Sequence, residues 1–142
     1  MVTDGAERPA YIDPNTTIEM RGKTMFGLFN SKPKVSVAEV KTGLDQGTTV
    51  LIDVRDPGEI VQTGIAKGAL NIPLSTLAMR ANPSSPECVT ELKSGKDIVL
   101  YCASGARSAG AAQMLEKMGH AKVQNLGSLR DWATDGGEIS RR

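Results

Sequence analysis

The segment Thr49-Val-Leu-Ile-Asp-Val54 is an unbroken run of β-branched and apolar residues, and a second run of this kind follows at Asp97-Ile-Val-Leu-Tyr101. Strands with one face in water alternate apolar and polar residues, whereas continuous apolar runs are typical of strands that are covered on both faces. Parallel sheets have this property because their crossover connections place helices above and below the strands. The two runs therefore predict the centre of a parallel sheet.

Hydrophobic patterns on either side of these runs alternate between helix and strand. The segment Ser36-Val-Ala-Glu39 has the spacing of a capping box and predicts a helix that extends to about Leu44. Further helices are predicted at 59–63, 74–79, 87–92, 106–118 and 128–134, and further strands at 69–72 and 122–126. The alternation predicts an α/β fold, with a mainly parallel sheet of four or five strands and helices on both faces.

Composition divides the chain into two parts. Residues 1–32 show no sustained apolar period, so we expect a flexible leader there, whereas residues 33–140 carry the pattern of one domain. The formal net charge of the 142 residues is +1, which offers no strong attraction to nucleic acid or to an anionic membrane. No apolar run approaches the roughly 20 residues of a membrane span, and the N-terminus lacks a secretory pattern. We therefore expect a cytoplasmic protein.

The second apolar run leads directly into Cys102, one of two cysteines in the chain. Parallel sheets bind ligands at the carboxyl ends of their strands, so Cys102, Asp53 and Arg55 are predicted to lie at one edge. The turn after Cys102 directs backbone N–H groups inward, and the N-terminus of the next helix adds partial positive charge. Gly105 permits a positive φ, and Arg107 adds a fixed charge. We expect a lowered pKa for the Cys102 thiol, and a substrate held by Ala103, Ser104, Gly105, Ala106, Arg107 and Ser108.

The residues of this turn can also be compared with what two other classes of cysteine enzyme need. A cysteine hydrolase needs a base beside the thiol, but His120, the one histidine, follows the predicted helix and lies roughly 18 Å away, where we expect it to be solvated. Cysteine phosphatases place five residues between cysteine and arginine, whereas four separate Cys102 from Arg107, which predicts a ring suited to a sulfur atom. With two cysteines and one histidine, we expect no metal site and no cofactor.

Four segments, in the right order, resemble signatures of the rhodanese family. The turn Cys102-Ala-Ser-Gly-Ala-Arg-Ser108 is similar to the active-site loop of that family, and Leu51-Ile-Asp-Val-Arg-Asp-Pro-Gly-Glu59 is similar to its first signature. Gly68-Ala-Leu-Asn-Ile-Pro73 resembles the second signature, and Val123-Gln-Asn-Leu-Gly127 followed by Trp132 resembles the closing segment. The resemblance covers almost all of the predicted domain and implies the rhodanese-like fold.

The resemblance implies a sulfurtransferase with Cys102 as its catalytic residue. The Cys102 thiolate would take sulfane sulfur from a donor such as thiosulfate or a persulfide, and a thiol or cyanide would then remove it from the Cys102 persulfide. Asp53, Arg55 and Glu59 are implied as structural support, a hydrogen-bonded and ionic cluster behind the loop. The implied partners are these small molecules, with a sulfur-relay protein as a further candidate.

Two alternatives stay open at this point. A non-catalytic interaction module could retain the same fold, although the intact cysteine, glycine and arginine of the loop argue against it. Cys88, in the predicted helix at 87–92, is expected to be a small apolar side chain that fills space. The alternative is that Cys88 is the resolving thiol for the persulfide.

The chain departs from the family pattern at three places. Gly64-Ile65 stands where glycine and histidine are usual, and Ser128 replaces a common glycine. Ala103 and Ala106 occupy loop positions at which many relatives carry a second cation, so Arg107 is the one charged residue between Cys102 and Ser108. This last departure bears on the choice of sulfur donor.

Overall fold

The computed structural model describes residues 35–141, and the predicted leader lies outside them. In chain order the elements are α1 (Val37–Gln46), β1 (Thr49–Asp53), α2 (Pro57–Thr63), β2 (Ile65–Ala66), β3 (Leu70–Asn71), α3 (Leu74–Ala81), a 3₁₀ helix (Thr90–Lys93), β4 (Asp97–Cys102), α4 (Ala106–Lys117), β5 (Val123–Ser128), α5 (Leu129–Thr134) and β6 (Ile139–Ser140). None of the described helices is both long enough and apolar enough to cross a membrane. The expected cytoplasmic location stays a prediction.

Within the described residues, one four-stranded sheet has the order β3-β1-β4-β5. The two apolar runs form its central pair, in which Ile52 lies opposite Leu100. The outer strands also run parallel to their neighbours. Ile52 of β1 lies opposite Leu70 of β3, and Ile98 of β4 lies opposite Val123 of β5. The predicted α/β fold with a parallel sheet is confirmed, at the lower of the two expected strand numbers.

Alternate residues of the central strands point to opposite faces of the sheet and build two apolar cores. On one face Ile52 and Leu100 pack with Leu77 of α3 and Leu115 of α4. The core of the other face lies under α1, α2 and α5 and includes Leu51, Val99, Val40, Ile60 and Trp132. Because full burial of one such side chain contributes ~1.5–3 kcal/mol, both layers of helices are needed to hold the sheet. The prediction of helices on both faces is confirmed.

Helix α1 begins with the predicted capping box. The N–H of Glu39 donates to Ser36 Oγ at 3.1 Å, and the N–H of Ser36 donates to Glu39 Oε1 at 3.3 Å. The helix continues to Gln46, two residues beyond the predicted end, and stops at Gly47, whose φ of +74° is in the left-handed region. Glycine adopts this conformation without steric cost, which ends the helix there.

The helix predicted at 87–92 is wrong. A turn precedes a short 3₁₀ helix at Thr90–Lys93. The side chain of Ser85 accepts the N–H of Glu87 at 3.1 Å, and the N–H of Val89 donates to a carbonyl oxygen of α3 at 2.8 Å. The N–H of Leu92, which an α-helix over 87–92 would direct to the carbonyl oxygen of Cys88, donates to that of Val89 at 3.0 Å, so the segment has 3₁₀ and not α-helical spacing.

Strands β2 and β6 form a small antiparallel pair that the sequence patterns do not predict. Ile65 lies opposite Ser140, and Ala66 lies opposite Ile139. Two-residue strands are too short to show a period, so the pattern carries no signal for them. Gly64 has a φ of +83°, and a Cβ there would come within 2.6 Å of Ile139 Cγ2. A glycine at this position is therefore required for the two segments to approach.

The carboxyl end of β1 carries a buried ion pair. Asp53 and Arg55 are 0 % and 2 % exposed, and Arg55 Nη2 lies 2.7 Å from Asp53 Oδ2. Other N–H groups of the guanidinium donate to Thr63 Oγ1 at 2.8 Å and to the carbonyl oxygen of Gly64 at 2.9 Å. Burial of two charges is tolerated when they are paired and their hydrogen bonds are satisfied, and both conditions hold here.

We expect Arg55→Met to lower the free energy of unfolding by about 3–5 kcal/mol, because the Asp53 carboxylate would stay buried without its counter-ion. Urea denaturation of the full chain measures the change. Lys67→Met is the matched control, since the Lys67 and Glu138 side chains of that ion pair are 70 % and 69 % exposed. The control should lose less than about 1 kcal/mol. Equal losses in the two variants would contradict the role of the buried pair.

Candidate active site

The turn between β4 and α4 places Cys102 at the carboxyl edge of the sheet. Strand β4 ends at Cys102, and α4 begins at Ala106. Gly105 has a φ of +97°, a conformation that disfavours any side chain, and it precedes the first residue of the helix. Ala103 and Ser104 are exposed. The sheet edge and the helix N-terminus therefore meet at the sulfur, as the sequence predicts for a strand–turn–helix of this length.

The sulfur of Cys102 lies inside the turn and receives hydrogen bonds from it. The N–H of Gly105 donates to Sγ at 3.0 Å, and Ser108 Oγ lies 3.5 Å from Sγ. The residue is buried, with 0 % of its surface exposed. Hydrogen-bond donors that face a thiol favour its ionised form.

The balance of these effects lowers the pKa of Cys102 to about 7. Burial acts in the opposite direction and raises the pKa, because it removes water from the thiolate. Hydrogen bonds from the Ser108 side chain and from the N–H groups of Ser108, Ser104 and Gly105 outweigh that cost. This lowered pKa increases the share of thiolate at neutral pH, and the thiolate is the state that acts as a nucleophile.

Arg107 and Glu59 form a forked ion pair at the entrance to α4. Arg107 Nη1 and Nη2 donate to Glu59 Oε2 and Oε1, each at 2.9 Å. Glu59 Oε2 also accepts the N–H of Asp56 at 3.0 Å, and the two partners together lower the pKa of Glu59 to about 2. Glu59 is therefore ionised at any physiological pH. The sequence predicts that the guanidinium of Arg107 binds substrate, but in the structure it binds the carboxylate of Glu59.

The three residues implied as structural support separate into two pairs. Asp53 and Arg55 bond to each other at the end of β1, whereas Glu59 of α2 bonds to Arg107. Both pairs lie near Cys102. Asp53 is opposite Tyr101 in the sheet, and Arg107 lies in the first turn of α4. The single cluster expected behind the loop is thus a buried pair behind it and a half-exposed pair beside it.

Asn125 of β5 joins the site and was missed as a functional candidate. Its Oδ1 lies 2.7 Å from Ser108 Oγ and accepts the N–H of Gly127 at 2.9 Å. Its Nδ2 donates to the carbonyl oxygen of Gly105 at 3.2 Å. The closing segment at 123–127 contains this residue, but nothing in its local pattern shows that an amide there reaches a loop 20 residues earlier.

Neither Cys88 nor His120 lies at this site. Cys88 is half-buried at the rim of the apolar core, with its Sγ 3.6 Å from the carbonyl oxygen of Val89. The expectation that His120 is solvated is wrong, since it is partly buried and its Nε2 lies 2.7 Å from the carbonyl oxygen of Ala81. Among the described residues, no group of three or more His, Cys, Asp or Glu side chains could hold a metal ion.

Residues 36–135 match the family model of the rhodanese-like domain. The chain belongs to the rhodanese family. The matched segment holds every strand of the parallel sheet, the turn after Cys102, and the side chains of Glu59 and Asn125 that bond to it. The resemblance noted in the sequence is therefore confirmed over almost the whole of the described chain.

Two relatives show how this rhodanese domain relates to known sequences. YqhL of Bacillus subtilis, an uncharacterized protein, is 41 % identical over 93 residues, which cover 65 % of this chain and 64 % of that protein. A sulfurtransferase of Allochromatium vinosum is 36 % identical over 93 residues, which cover 65 % of this chain and 78 % of the relative. The chain thus spans slightly less than two thirds of YqhL, and a larger share of the sulfurtransferase.

A solved structure from Rhodopseudomonas palustris has the same fold. It superposes on this rhodanese domain with a TM-score of 0.66 at 30 % identity, and the match covers 75 % of this chain and 83 % of that chain. That protein is described as one of unknown function and as a possible tyrosine phosphatase. The fold is shared, whereas the activity has to be decided from the loop.

A spectroscopic titration of Cys102 should show a midpoint near pH 7, below the ~8.5 of a free thiol. The thiolate absorbs more ultraviolet light than the thiol, so the difference between wild type and Cys102→Ser should grow as the pH rises through 7. Ser108→Ala should move the midpoint upward, because a hydrogen-bond donor to the thiolate is lost. A wild-type midpoint at or above that of a free thiol would contradict an activated sulfur.

Proposed function

We propose that this rhodanese domain is a sulfurtransferase that carries sulfane sulfur as a persulfide on Cys102. The observation that supports this most directly is the 3.0 Å hydrogen bond from the Gly105 N–H to a sulfur that is enclosed by the turn. It gives a thiol that ionises near neutral pH without a histidine beside it. The sulfurtransferase of Allochromatium vinosum supports the same class of activity.

The first step is attack of the Cys102 thiolate on the sulfane sulfur of the donor. A sulfur–sulfur bond forms, the donor's own bond to that sulfur breaks, and the leaving group departs with the electron pair as sulfite or as a thiolate. The negative charge then resides on the outer sulfur of the Cys102 persulfide. The N–H groups of the turn and the N-terminus of α4 stabilise this anion as they stabilise the thiolate.

In the second step an acceptor thiolate or cyanide attacks the outer sulfur. The bond between the two sulfurs breaks, the acceptor becomes a persulfide or thiocyanate, and the Cys102 thiolate returns. No proton transfer to a neighbouring side chain is needed in either step, which agrees with the position of His120 away from the loop. A low thiol pKa also makes Cys102 a good leaving group.

Phosphatase chemistry fits this loop less well. Four residues separate Cys102 from Arg107, so the turn encloses a smaller volume than the longer loop of cysteine phosphatases. A bound phosphate would also need the guanidinium fork, and Arg107 already directs both of its terminal nitrogens to Glu59. We therefore favour a sulfur atom as the group that the turn holds.

We expect the purified protein to gain the mass of one sulfur atom when it is incubated with a sulfane sulfur donor, and to lose it on treatment with cyanide. Mass spectrometry measures both changes. Cys102→Ser should not gain the mass, because a hydroxyl cannot form a persulfide. Cys88→Ser is the matched control and should gain it as wild type does. An unchanged wild-type mass would favour the non-catalytic interaction module.

The Arg107–Glu59 pair also supports a preference for donors of low charge. The two side chains are 38 % and 35 % exposed and neutralise one another at the mouth of the turn. Thiosulfate is a dianion, and with Ala103 and Ala106 in the loop the one cation between Cys102 and Ser108 is Arg107, which is already paired with Glu59. An alkyl persulfide such as cysteine persulfide carries less charge, and we propose donors of this class as the better substrates.

Kinetics with two donors should show whether the Arg107–Glu59 pair sets the preference between thiosulfate and a persulfide. We expect Glu59→Gln to raise kcat/KM for thiosulfate roughly tenfold, since a freed guanidinium gives one charge-assisted contact of ~1.5 kcal/mol. The value for cysteine persulfide should change much less. Glu138→Gln, which removes the same charge from the exposed pair with Lys67, is the control and should affect neither donor. Equal gains in both glutamate variants would show that net charge, and not the fork, sets donor choice.

A further inference from the structure

A β-bulge places Asn125 beside the catalytic turn. Strands β4 and β5 are in register as far as Leu100 opposite Asn125, but the next pair is Tyr101 opposite Gly127. Leu126 is therefore an extra residue on β5, and it is buried in the core of the opposite face. Bulges re-orient the side chains next to them. The bulge brings the Asn125 amide to the start of α4.

The orientation of that amide follows from its neighbours. The N–H of Gly127, 2.9 Å away, is a donor and requires an oxygen opposite it, so the atom it faces is Oδ1. The atom that faces the carbonyl oxygen of Gly105 at 3.2 Å is then Nδ2. Asn125 consequently presents an acceptor, and not a donor, to Ser108 Oγ at 2.7 Å.

Ser108 has one hydroxyl proton and two competing uses for it. Asn125 Oδ1 is its shortest contact at 2.7 Å, whereas Cys102 Sγ lies at 3.5 Å. Carbonyl oxygens of Gly105 and Gly127 lie at 3.2 and 3.4 Å. Because an oxygen pair at 2.7 Å requires a proton between its members, the hydroxyl that donates to Asn125 cannot donate to the thiolate at the same time.

We propose that Asn125 is a positioning residue that competes with Cys102 for the Ser108 hydroxyl and thereby sets how much thiolate the site holds. When the Cys102 thiol is neutral, the Ser108 hydroxyl donates to Asn125 Oδ1. Ionisation of Cys102 attracts the hydroxyl to the charged sulfur, at the cost of the bond to Asn125. Asn125 therefore restrains ionisation. The proposal rests on the proposed role of Cys102 as nucleophile, but not on the identity of the donor.

The charges of Arg107, Asp53 and Arg55 lie in ion pairs of their own. Arg107 of α4 interacts electrostatically with Cys102 but is paired with Glu59 of α2. At the carboxyl end of β1 the charges of Asp53 and Arg55 neutralise each other. Strand β5, from Val123 to Ser128, contains no titratable side chain. A change at Asn125 that preserves its neutrality thus alters hydrogen bonding at Cys102 and leaves these charges in place.

Ultraviolet titration of the thiolate in the full chain, with Cys88→Ser as background and the Cys102→Ser spectrum subtracted, tests the proposal. We expect Asn125→Ala to lower the midpoint by about 0.5 pH unit, the effect of one hydrogen bond. In a Ser108→Ala background the same substitution should leave the midpoint unchanged, because the hydroxyl under competition is absent. Asn125→Asp should raise the midpoint, since a carboxylate holds the hydroxyl more strongly and adds negative charge.

Several outcomes would overturn the proposal. A midpoint that rises or stays fixed in Asn125→Ala, with only the melting temperature lowered, would assign Asn125 a structural role. A shift of equal size with and without Ser108 would show that Asn125 acts by another route. If Asn125→Ala does not fold, a lowered or unchanged midpoint in Asn125→Asp overturns it instead. The titration needs no sulfur donor, so a protein that shows the expected shifts but gains no sulfur would refute the proposed function and leave this inference standing.

Discussion

The buried Asp53–Arg55 ion pair is the constraint on which the rest of the structure depends. It joins the end of β1 to the end of α2, and the amide of Asn71 donates to the carbonyl oxygens of both residues, at 3.0 and 2.9 Å, to attach β3. Tyr101 lies against the same pair, with its ring 5.9 Å from the guanidinium and its hydroxyl accepting the N–H of Ala66 at 2.9 Å. Tyr101, the residue before Cys102, is thereby held by contacts at its ring and at its hydroxyl.

A second principle of the site is that neutral donors contact the sulfur directly, whereas Arg107, which interacts with it electrostatically, is paired with Glu59. Arg55 is paired with Asp53, and Arg107 is paired with Glu59. The remaining positive potential comes from backbone N–H groups and from the first turn of α4. Such groups are fixed by the fold and require no rearrangement when charge develops on sulfur. Their effect on the sulfur then depends on hydrogen-bond distances that differ by a few tenths of an ångström.

Local sequence predicts the elements whose signals are local. The central strands and the loop follow from contiguous apolar runs and from the glycine and arginine near Cys102, because strand burial and turn geometry are decided over a few residues. The segment predicted as a helix at 87–92 forms a turn and a 3₁₀ helix, whose backbone hydrogen bonds span three residues instead of four. The Glu59–Arg107 pair joins residues 48 positions apart, and Asn125 reaches the loop through a bulge. Contacts of this kind depend on tertiary structure, and no spacing rule contains them.

The complete burial of Cys102 has a consequence for regiochemistry. A persulfide offers two electrophilic sulfurs to an incoming thiolate. Attack on the inner atom would expel hydrosulfide and leave the protein trapped as a mixed disulfide, whereas attack on the outer atom passes the sulfur onward. On the proposed mechanism the inner atom is the buried Sγ of Cys102, so an acceptor that enters from solvent meets the outer atom first. The depth of one side chain then decides between releasing sulfide and delivering sulfur.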